Sequence, residues 1–406
     1  MYKQLFNVGL RVTSLAAKLL LTLYMGRYLG MEDLGVYGLV LATVSVMAGA
    51  LGLRLDYAVS RDLVGASGRA TICMLRDQIA FLGVSYAFFA FVILICLITG
   101  VAETKMLLFV FVLSSLESFS GSMGGNFISM GAPLFSTLLF FVRAGAWCFF
   151  AVLLGVIWPV FRTVDVVLWL WALGEFLAVC LNGWAWRKLP WKEVAQIPVN
   201  WRWVWDGIKV CFPMWVGTLG TMLALSVDRF VVSYYLDLEE VGVITFYSSF
   251  AIALLSLVQS GFFAFSYPHL IDYYRKGDHK AFWAETWRTG WQVALFVLAA
   301  ALVIGFVIPW AAPLFGKPRL ASESLTLWLL LGGIWIRANA DTLYYVLYAR
   351  NQDRALWLSS ILFLIPALVG NLLFVPWLGL PGAGISSIVA CLFLLLHRLW
   401  YVFRPA

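Results

Sequence analysis

The sequence predicts an all-α integral membrane protein of about 12 transmembrane helices. They form two parallel six-helix repeats related by a pseudo-twofold along the membrane normal. Three observations predict it. Of 406 residues, 63% are apolar and only 12% are charged, against about 45–50% and about 25% in an average soluble domain. Apolar stretches of spanning length, about 20 residues, recur from one end of the chain to the other. A signature in the first half returns in the second. A water-soluble fold cannot hide this much apolar surface, so soluble enzymes, nucleic-acid-binding domains and disordered chains are excluded.

The candidate spans run, in order, over 5–29, 33–53, 78–100, 106–130, 134–158, 164–186, 208–236, 241–266, 288–312, 323–349, 355–375 and 381–402. The first is the least apolar, because it carries Arg11 and Lys18. The opening stretch is too long and too charged for a cleavable signal peptide. Orientation follows from the cations. With the N-terminus in the cytoplasm, 18 of the 28 Lys and Arg fall inside, in runs such as Arg54, Arg61, Arg69 and Arg76, or Arg275, Lys276, Lys280 and Arg288. Arg350, Arg354, Arg398 and Arg404 fall inside as well. Only Arg27, Lys105, Arg162, Lys317 and Arg319 fall outside. This bias places both termini in the cytoplasm and requires an even number of spans. The formal charge of +7 thus reports orientation rather than a nucleic-acid partner.

The longest polar segments, 54–77, 187–207 and 267–287, all face the cytoplasm. The middle one holds Trp, Lys and Arg with Pro190 and Pro198, and reads as an interfacial amphipathic linker. It divides the chain into an N-terminal six-helix lobe at 1–186, the linker at 187–207 and a C-terminal lobe at 208–406. The repeat is explicit at 28–38 (YLGMEDLGVYG) and 235–245 (YLDLEEVGVIT). Each joins a span pair through two acids, Glu32-Asp33 or Glu239-Glu240, followed by Gly35 or Gly242. Six spans per half means both halves run the same way. Two such bundles with a cleft between them suit a transporter; two fused bundles without a pathway are the plainer reading.

Nine charged residues fall within spans: Arg11, Lys18, Arg143, Arg229, Arg337, Glu117, Glu175, Asp228 and Asp341. A charge at mid-span costs about 2.5–3.5 kcal/mol on insertion scales, so each needs an internal partner or a wet cavity. Arg11 and Lys18 are two helical turns apart and share a face. Their counterparts in the second half, Thr218 and Leu225, are uncharged. They read as a cationic stripe meeting an anionic substrate, or as partners of acids on neighbouring helices. Arg337 and Asp341 are spaced to pair along one helix face. Glu117 aligns with Arg337 in the repeat, which makes the two a candidate gate. Arg143 and Glu175 are placed to pair within the first bundle. Asp228 and Arg229, about 100° apart on a helix, are expected to find separate partners. His269, beside Pro268, could titrate or sit at the interface.

The six cysteines lack metal-ligand spacing and read as small apolar packing residues. No nucleotide-binding motif, metal pattern or nucleophile elbow is present, so neither ATP drive nor catalysis is expected and no cofactor is implied.

The stretches at 27–40 (RYLGMEDLGVYGLV), 52–62 (GLRLDYAVSRD) and 228–242 (DRFVVSYYLDLEEVG) resemble the polysaccharide transport family. These are the Wzx-type lipid-linked oligosaccharide flippases of the multidrug/oligosaccharidyl-lipid/polysaccharide (MOP) superfamily. The first and third stretches are the most specific, and the resemblance covers essentially the whole chain. It implies a V-shaped pair of six-helix lobes working by alternating access in the bacterial cytoplasmic membrane. The implied substrate is an undecaprenyl-diphosphate-linked repeat unit of O-antigen, capsule or exopolysaccharide, moved to the periplasmic leaflet. Polysaccharide polymerase and glycosyltransferases would be partners in the pathway. The family's cationic cavity maps by depth and charge onto Arg11, Lys18, Arg143 and Arg337. Glu117, Glu175, Asp228 and Asp341 are the candidates for coupling to H+ or Na+, or for gating. The chain lacks the two extra C-terminal helices of lipid II flippases, which argues against a peptidoglycan role. The alternatives are an ion-coupled MATE-like exporter of drugs or small molecules, a major-facilitator transporter, and a membrane-embedded enzyme. The exporter predicts an acid-dominated cavity, whereas the spans hold five cations and four acids.

Overall fold

The computed structural model describes residues 2–66, 68–100, 103–187, 189–194, 196–317 and 319–404. Lys188, counted above among the cytoplasmic cations, lies outside them. Among the described residues every long element is helical: α1 Tyr2–Tyr28, α2 Met31–Leu51, α3 Leu55–Leu63, α4 Gly68–Thr99, α5 Thr104–Ser129, α6 Pro133–Phe141, α7 Trp147–Ile157, α8 Val164–Trp186 and α9 Trp201–Ala224. The second half continues with α10 Val227–Tyr235, α11 Leu238–Val258, α12 Ala264–Arg275, α13 His279–Ala311, α14 Arg319–Ser322, α15 Ser324–Ala349, α16 Asp353–Leu362, α17 Leu364–Leu378 and α18 Leu380–Phe403. This is the arrangement a chain needs in hydrocarbon, where each segment must satisfy its own backbone hydrogen bonds.

Ten helical stretches among the described residues are long and apolar enough to cross a membrane. The other two long helices, α1 and α15, coincide with the expected first and tenth spans and carry intramembrane charges. Several expected spans are interrupted. The fifth is α6 and α7 joined by a π turn at Val142–Ala146, and the eighth is α11 and α12 joined by a π turn at Gln259–Phe263. The seventh breaks between α9 and α10, and the eleventh between α16 and α17. Apolarity measures what can sit in lipid and is blind to such local changes of hydrogen-bond register.

The polar segments are more helical than expected. Residues 55–63 and 68–77 belong to α3 and α4, residues 264–275 to α12, and residues 201–207 to α9. Helix continues into water wherever the residues permit it, so polarity marks the membrane edge and not the helix end. What remains of the linker is tied down by Arg76. Its guanidinium donates to the carbonyl oxygens of Val194 (2.8 Å), Ile197 (2.5 Å) and Pro198 (3.0 Å), while Asp77 accepts from the Asn200 N–H (3.2 Å).

The chain divides into two compact units, residues 1–21 with 40–215 and residues 22–39 with 216–406. In the first, Leu55, Val59, Leu63 and Leu75 pack with Met123, Phe127, Trp186 and Cys211. All six cysteines are free; Cys148, Cys211 and Cys391 are buried as packing residues, whereas Cys180 is exposed. In the second unit, α13, α15 and α11 share a core of Val293, Val297, Ile334, Ala338 and Leu254.

The tightest packing in the second unit lies where α2 crosses α11. A Cβ on Gly35 would overlap the carbonyl oxygen of Leu238, and one on Gly242 would overlap the carbonyl oxygen of Met31. Gly38 faces the Thr245 side chain just as closely. Met31, Gly35 and Gly38 are the repeat counterparts of Leu238, Gly242 and Thr245, each 207 residues earlier. The contact is therefore its own image under the repeat. Without side chains at Gly35 and Gly242 the two backbones meet directly, as small residues permit between helices in lipid.

Gly35→Val and Gly242→Val are each expected to destabilise by about 1–3 kcal/mol through overpacking. The double variant should lose clearly less than the sum, because one bulky residue already opens the shared contact. Gly83, in α4 with open space around its Cα, provides the opposite sign: Gly83→Ala should stabilise by about 0.5–1 kcal/mol. Thermal unfolding of the purified protein in one detergent measures all four.

Candidate functional site

Eight residues were expected to carry function; the structure gathers Glu117 and Glu175 about Arg143 in one unit and Arg337 about Asp341 in the other, with Asp228 lining the same cavity as Arg337. In the first unit the cluster is built on α1, α5, the π turn and α8. The π turn places Arg143 against α5, where Gly121 leaves room: its Cβ position is 3.3 Å from Arg143 Nη1. The Trp147 indole N–H donates to the Arg143 carbonyl (2.9 Å), a backbone acceptor beside the turn. Arg143 Nη1 donates to the Glu117 carbonyl and the Ser120 hydroxyl, both at 3.3 Å, and lies 4.0 Å from Glu175 Oε2. The Ser120 hydroxyl donates to the same carboxylate, and Glu175 is buried. Lys18 and Glu117 are close enough to act on Glu175 electrostatically. Glu117 Oε2 is buried without a hydrogen-bond partner among the described residues.

Lys18 and Arg11 differ from Arg143: both side chains are exposed on α1, on the face the seven-residue spacing gives them. Among the described residues Arg11 makes no ion pair.

In the second unit Asp341 is the hub. Its Oδ1 accepts from Arg337 Nε (3.1 Å) and from Arg398 Nη1 (2.8 Å). Arg398 also donates to the Ala340 carbonyl (2.9 Å) and reaches Ser359 Oγ (3.5 Å). Phe363 lies 4.9 Å from the Arg337 guanidinium and Tyr344 lies 5.2 Å from that of Arg398. The spacing-based pairing of Arg337 with Asp341 is therefore present, but as two-thirds of a triad. The charge pattern counts Arg398 among the cytoplasmic cations; its side chain is only 2% exposed and is packed within the second unit. The available signal was that Leu399 to Phe403 continue the apolar run past it.

Arg337 also lines a cavity of about 60 Å³ among α9, α10, α11, α15, α17 and α18. Arg337 Nη1 and Asn371 Oδ1 are both buried there without hydrogen-bond partners, and Asp228 lines the same space. The Asn371 amide is turned by its own donation to the Ala367 carbonyl (2.8 Å). Asp228 and Arg229 do not find separate partners as expected. Asp228 Oδ1 accepts the Arg229 N–H (2.8 Å) and lies 4.0 Å from Arg229 Nη1. The pair lies in the first turn of α10, and the same Arg229 N–H also donates to the Ser226 carbonyl (3.2 Å). Arg229 Nη1 donates to Leu225 O, so its charge is spent locally. Glu117 and Arg337 each lie among partners of their own unit. Among the described residues no group of three or more His, Cys, Asp and Glu could hold a metal ion.

No protein-family model matches the sequence, and no curated protein matches it. Solved structures do. The chain is similar to an inward-facing multidrug resistance MATE family transporter of the MOP superfamily, with a TM-score of 0.72 at 14% identity over 95% of this chain and 93% of that one. It is also similar to the lipid II flippase MurJ in an inward closed conformation, with a TM-score of 0.71 at 12% identity over 99% of this chain and 87% of that one. The chain has the fold of the MOP transporters. That fold accounts for the two repeats, and both solved structures are of transporters or flippases rather than enzymes.

The MOP-fold chain's second cluster makes an ordered prediction. Asp341→Asn leaves two buried arginines without their counter-charge and should cost about 3–5 kcal/mol. Arg398→Met leaves a one-to-one Arg337–Asp341 pair and should cost less. The double variant Asp341→Asn with Arg398→Met should be more stable than Asp341→Asn alone. Thermal unfolding in detergent ranks the three.

Proposed function

We propose that this chain is a flippase for undecaprenyl-diphosphate-linked oligosaccharide repeat units, moving them from the cytoplasmic to the periplasmic leaflet of the bacterial inner membrane. The observation that carries the reading is the exposure of Arg11 and Lys18 on a helix that coincides with an expected span. An exposed cation at membrane depth is stable against water and costly against lipid. In this reading the two mark a wet, cationic path. The other span arginines are engaged by neighbours: Arg143 by Glu175 and Ser120, Arg229 by Asp228, Arg337 and Arg398 by Asp341.

A lipid diphosphate brings a polar anionic head that cannot cross hydrocarbon alone. Arg11 would bind a phosphate bidentately and Lys18 as a point charge. The lipid tail would stay in the bilayer throughout. Arg143 and Arg337 act in this reading as anchored cations that set the field of their unit. Glu117, with its unpartnered carboxylate oxygen, and Asp228, beside a cavity, are the acids best placed to take a coupling proton or sodium ion. An exporter of organic cations would gain nothing from an exposed cationic stripe.

Deletion of the gene should cause unpolymerised lipid-linked repeat units to accumulate in the cytoplasmic leaflet. A plasmid-borne wild-type copy should clear them. Arg11→Ala with Lys18→Ala should clear them at least about tenfold more slowly at equal membrane abundance, and Lys18→Arg should recover part of the rate. Full clearance by the double alanine variant contradicts the site. Absence of lipid-linked intermediates in the deletion strain contradicts the function.

A further inference from the structure

A second polar site lies away from both charge clusters. Where α12 and the π turn before it face the first turns of α13, there is a cavity of about 380 Å³. Small-molecule sites run from about 300 to 1,000 Å³, whereas one water occupies about 30 Å³. The wall contains Ser266 and Thr289, which are 6% and 3% exposed. Ser266 Oγ is buried with no hydrogen-bond partner among the described residues. Glu285, Arg288 and Gln292 project from the same side as Thr289, at three- or four-residue spacings on α13. Phe265, 60% exposed, is among the rings on the opposite wall.

The site is made by a backbone irregularity. The π turn at Gln259–Phe263 widens the helix, and Gly261 within it contributes no side chain to the cavity. Pro268, inside α12, cannot donate a backbone hydrogen bond to the preceding turn. π turns of this kind are frequent at functional sites.

The chemistry selects among ligands. Glu285 Oε2 and Arg288 Nη1 are 4.0 Å apart, so the fixed charge of the wall cancels. A phosphate would find one cation already facing an acid, and a divalent metal would find one carboxylate and the His269 imidazole, short of the three such ligands a metal site needs. What remains is an acceptor-only carboxylate, a donor-only guanidinium, one amide, the His269 imidazole, and three hydroxyls, of Ser266, Thr289 and Tyr273, that both donate and accept, with aromatic faces opposite. Adjacent hydroxyls on a ring can use each of these groups in pairs, and the ring's C–H face can lie against an aromatic face, which carries the negative side of its quadrupole.

We propose that this cavity binds a neutral sugar ring, taken either from a glycolipid headgroup or from free saccharide. The site stands independently of the cationic stripe on α1, and its test uses no transport assay. The full-length protein in nanodiscs free of glycoside detergent is photolabelled with a diazirine-bearing octyl β-glucoside, and the adducts are mapped by mass spectrometry. Adducts are expected within 261–273 and 285–292. Unlabelled octyl glucoside should compete, and octyl phosphocholine should not. Competition by maltose as well would support capture of free saccharide; competition by octyl glucoside without maltose would support a glycolipid headgroup. Thr289→Val with Gln292→Leu should lower labelling at least tenfold. Glu285→Gln, a smaller change, should lower it severalfold with an unchanged unfolding temperature. Adducts confined to other segments, or equal competition by octyl phosphocholine, would overturn the proposal.

Discussion

A bare charge in hydrocarbon must be neutralised, hydrated or withdrawn, and that constraint arranges much of this chain's interior. Asp341 receives two arginines on one oxygen. Glu175 receives a serine hydroxyl and lies within ion-pair distance of Arg143. Asp228 turns onto the backbone N–H of the arginine beside it. The Arg143–Glu175 and Arg398–Asp341 arrangements also link helices distant in sequence, whereas the Asp228–Arg229 arrangement is local to one helix. Arg398 and Asp341, for example, tie α18 to α15. Arg11 and Lys18 on α1 are more exposed than these groups, and under the proposed function they line a wet path.

The second constraint is geometric. The first and second halves of the chain carry the same acidic turn, and its glycines are where α2 and α11 come closest. The repeat is thus more than a trace of duplication. It supplies two similar small surfaces that fit each other because Gly35 and Gly242 each lack a side chain where the other helix's backbone arrives.

The fold was legible because its determinants are local and strong. Apolar length identifies a span, and the 207-residue offset between two turns identifies the repeat. The pairing of Arg337 with Asp341 was legible for the same reason, since four residues on one helix suffice to bring them together. Arg398 was not, because its burial depends on how α18 lies on α15, which no spacing within either helix records. The π turns were invisible: five residues change hydrogen-bond register without any change in hydropathy, yet one positions Arg143 and the other opens the cavity beside Ser266. The turn at Asp228 misled for a related reason. Helical geometry assigns directions best inside a helix, and this residue sits in the first turn of one.

The central claim is that Arg11 and Lys18 line an aqueous path that accepts an anionic headgroup. It is tested most directly by thiol accessibility, in a background with the six native cysteines replaced. Arg11→Cys, Lys18→Cys and the outward-facing reference Phe91→Cys would be reacted in proteoliposomes with a charged, membrane-impermeant methanethiosulfonate. The account predicts rapid modification at 11 and 18, slowed by an undecaprenyl-diphosphate-linked sugar, and little at 91. Modification at 11 and 18 as slow as at 91 would place these residues against lipid or protein and contradict it.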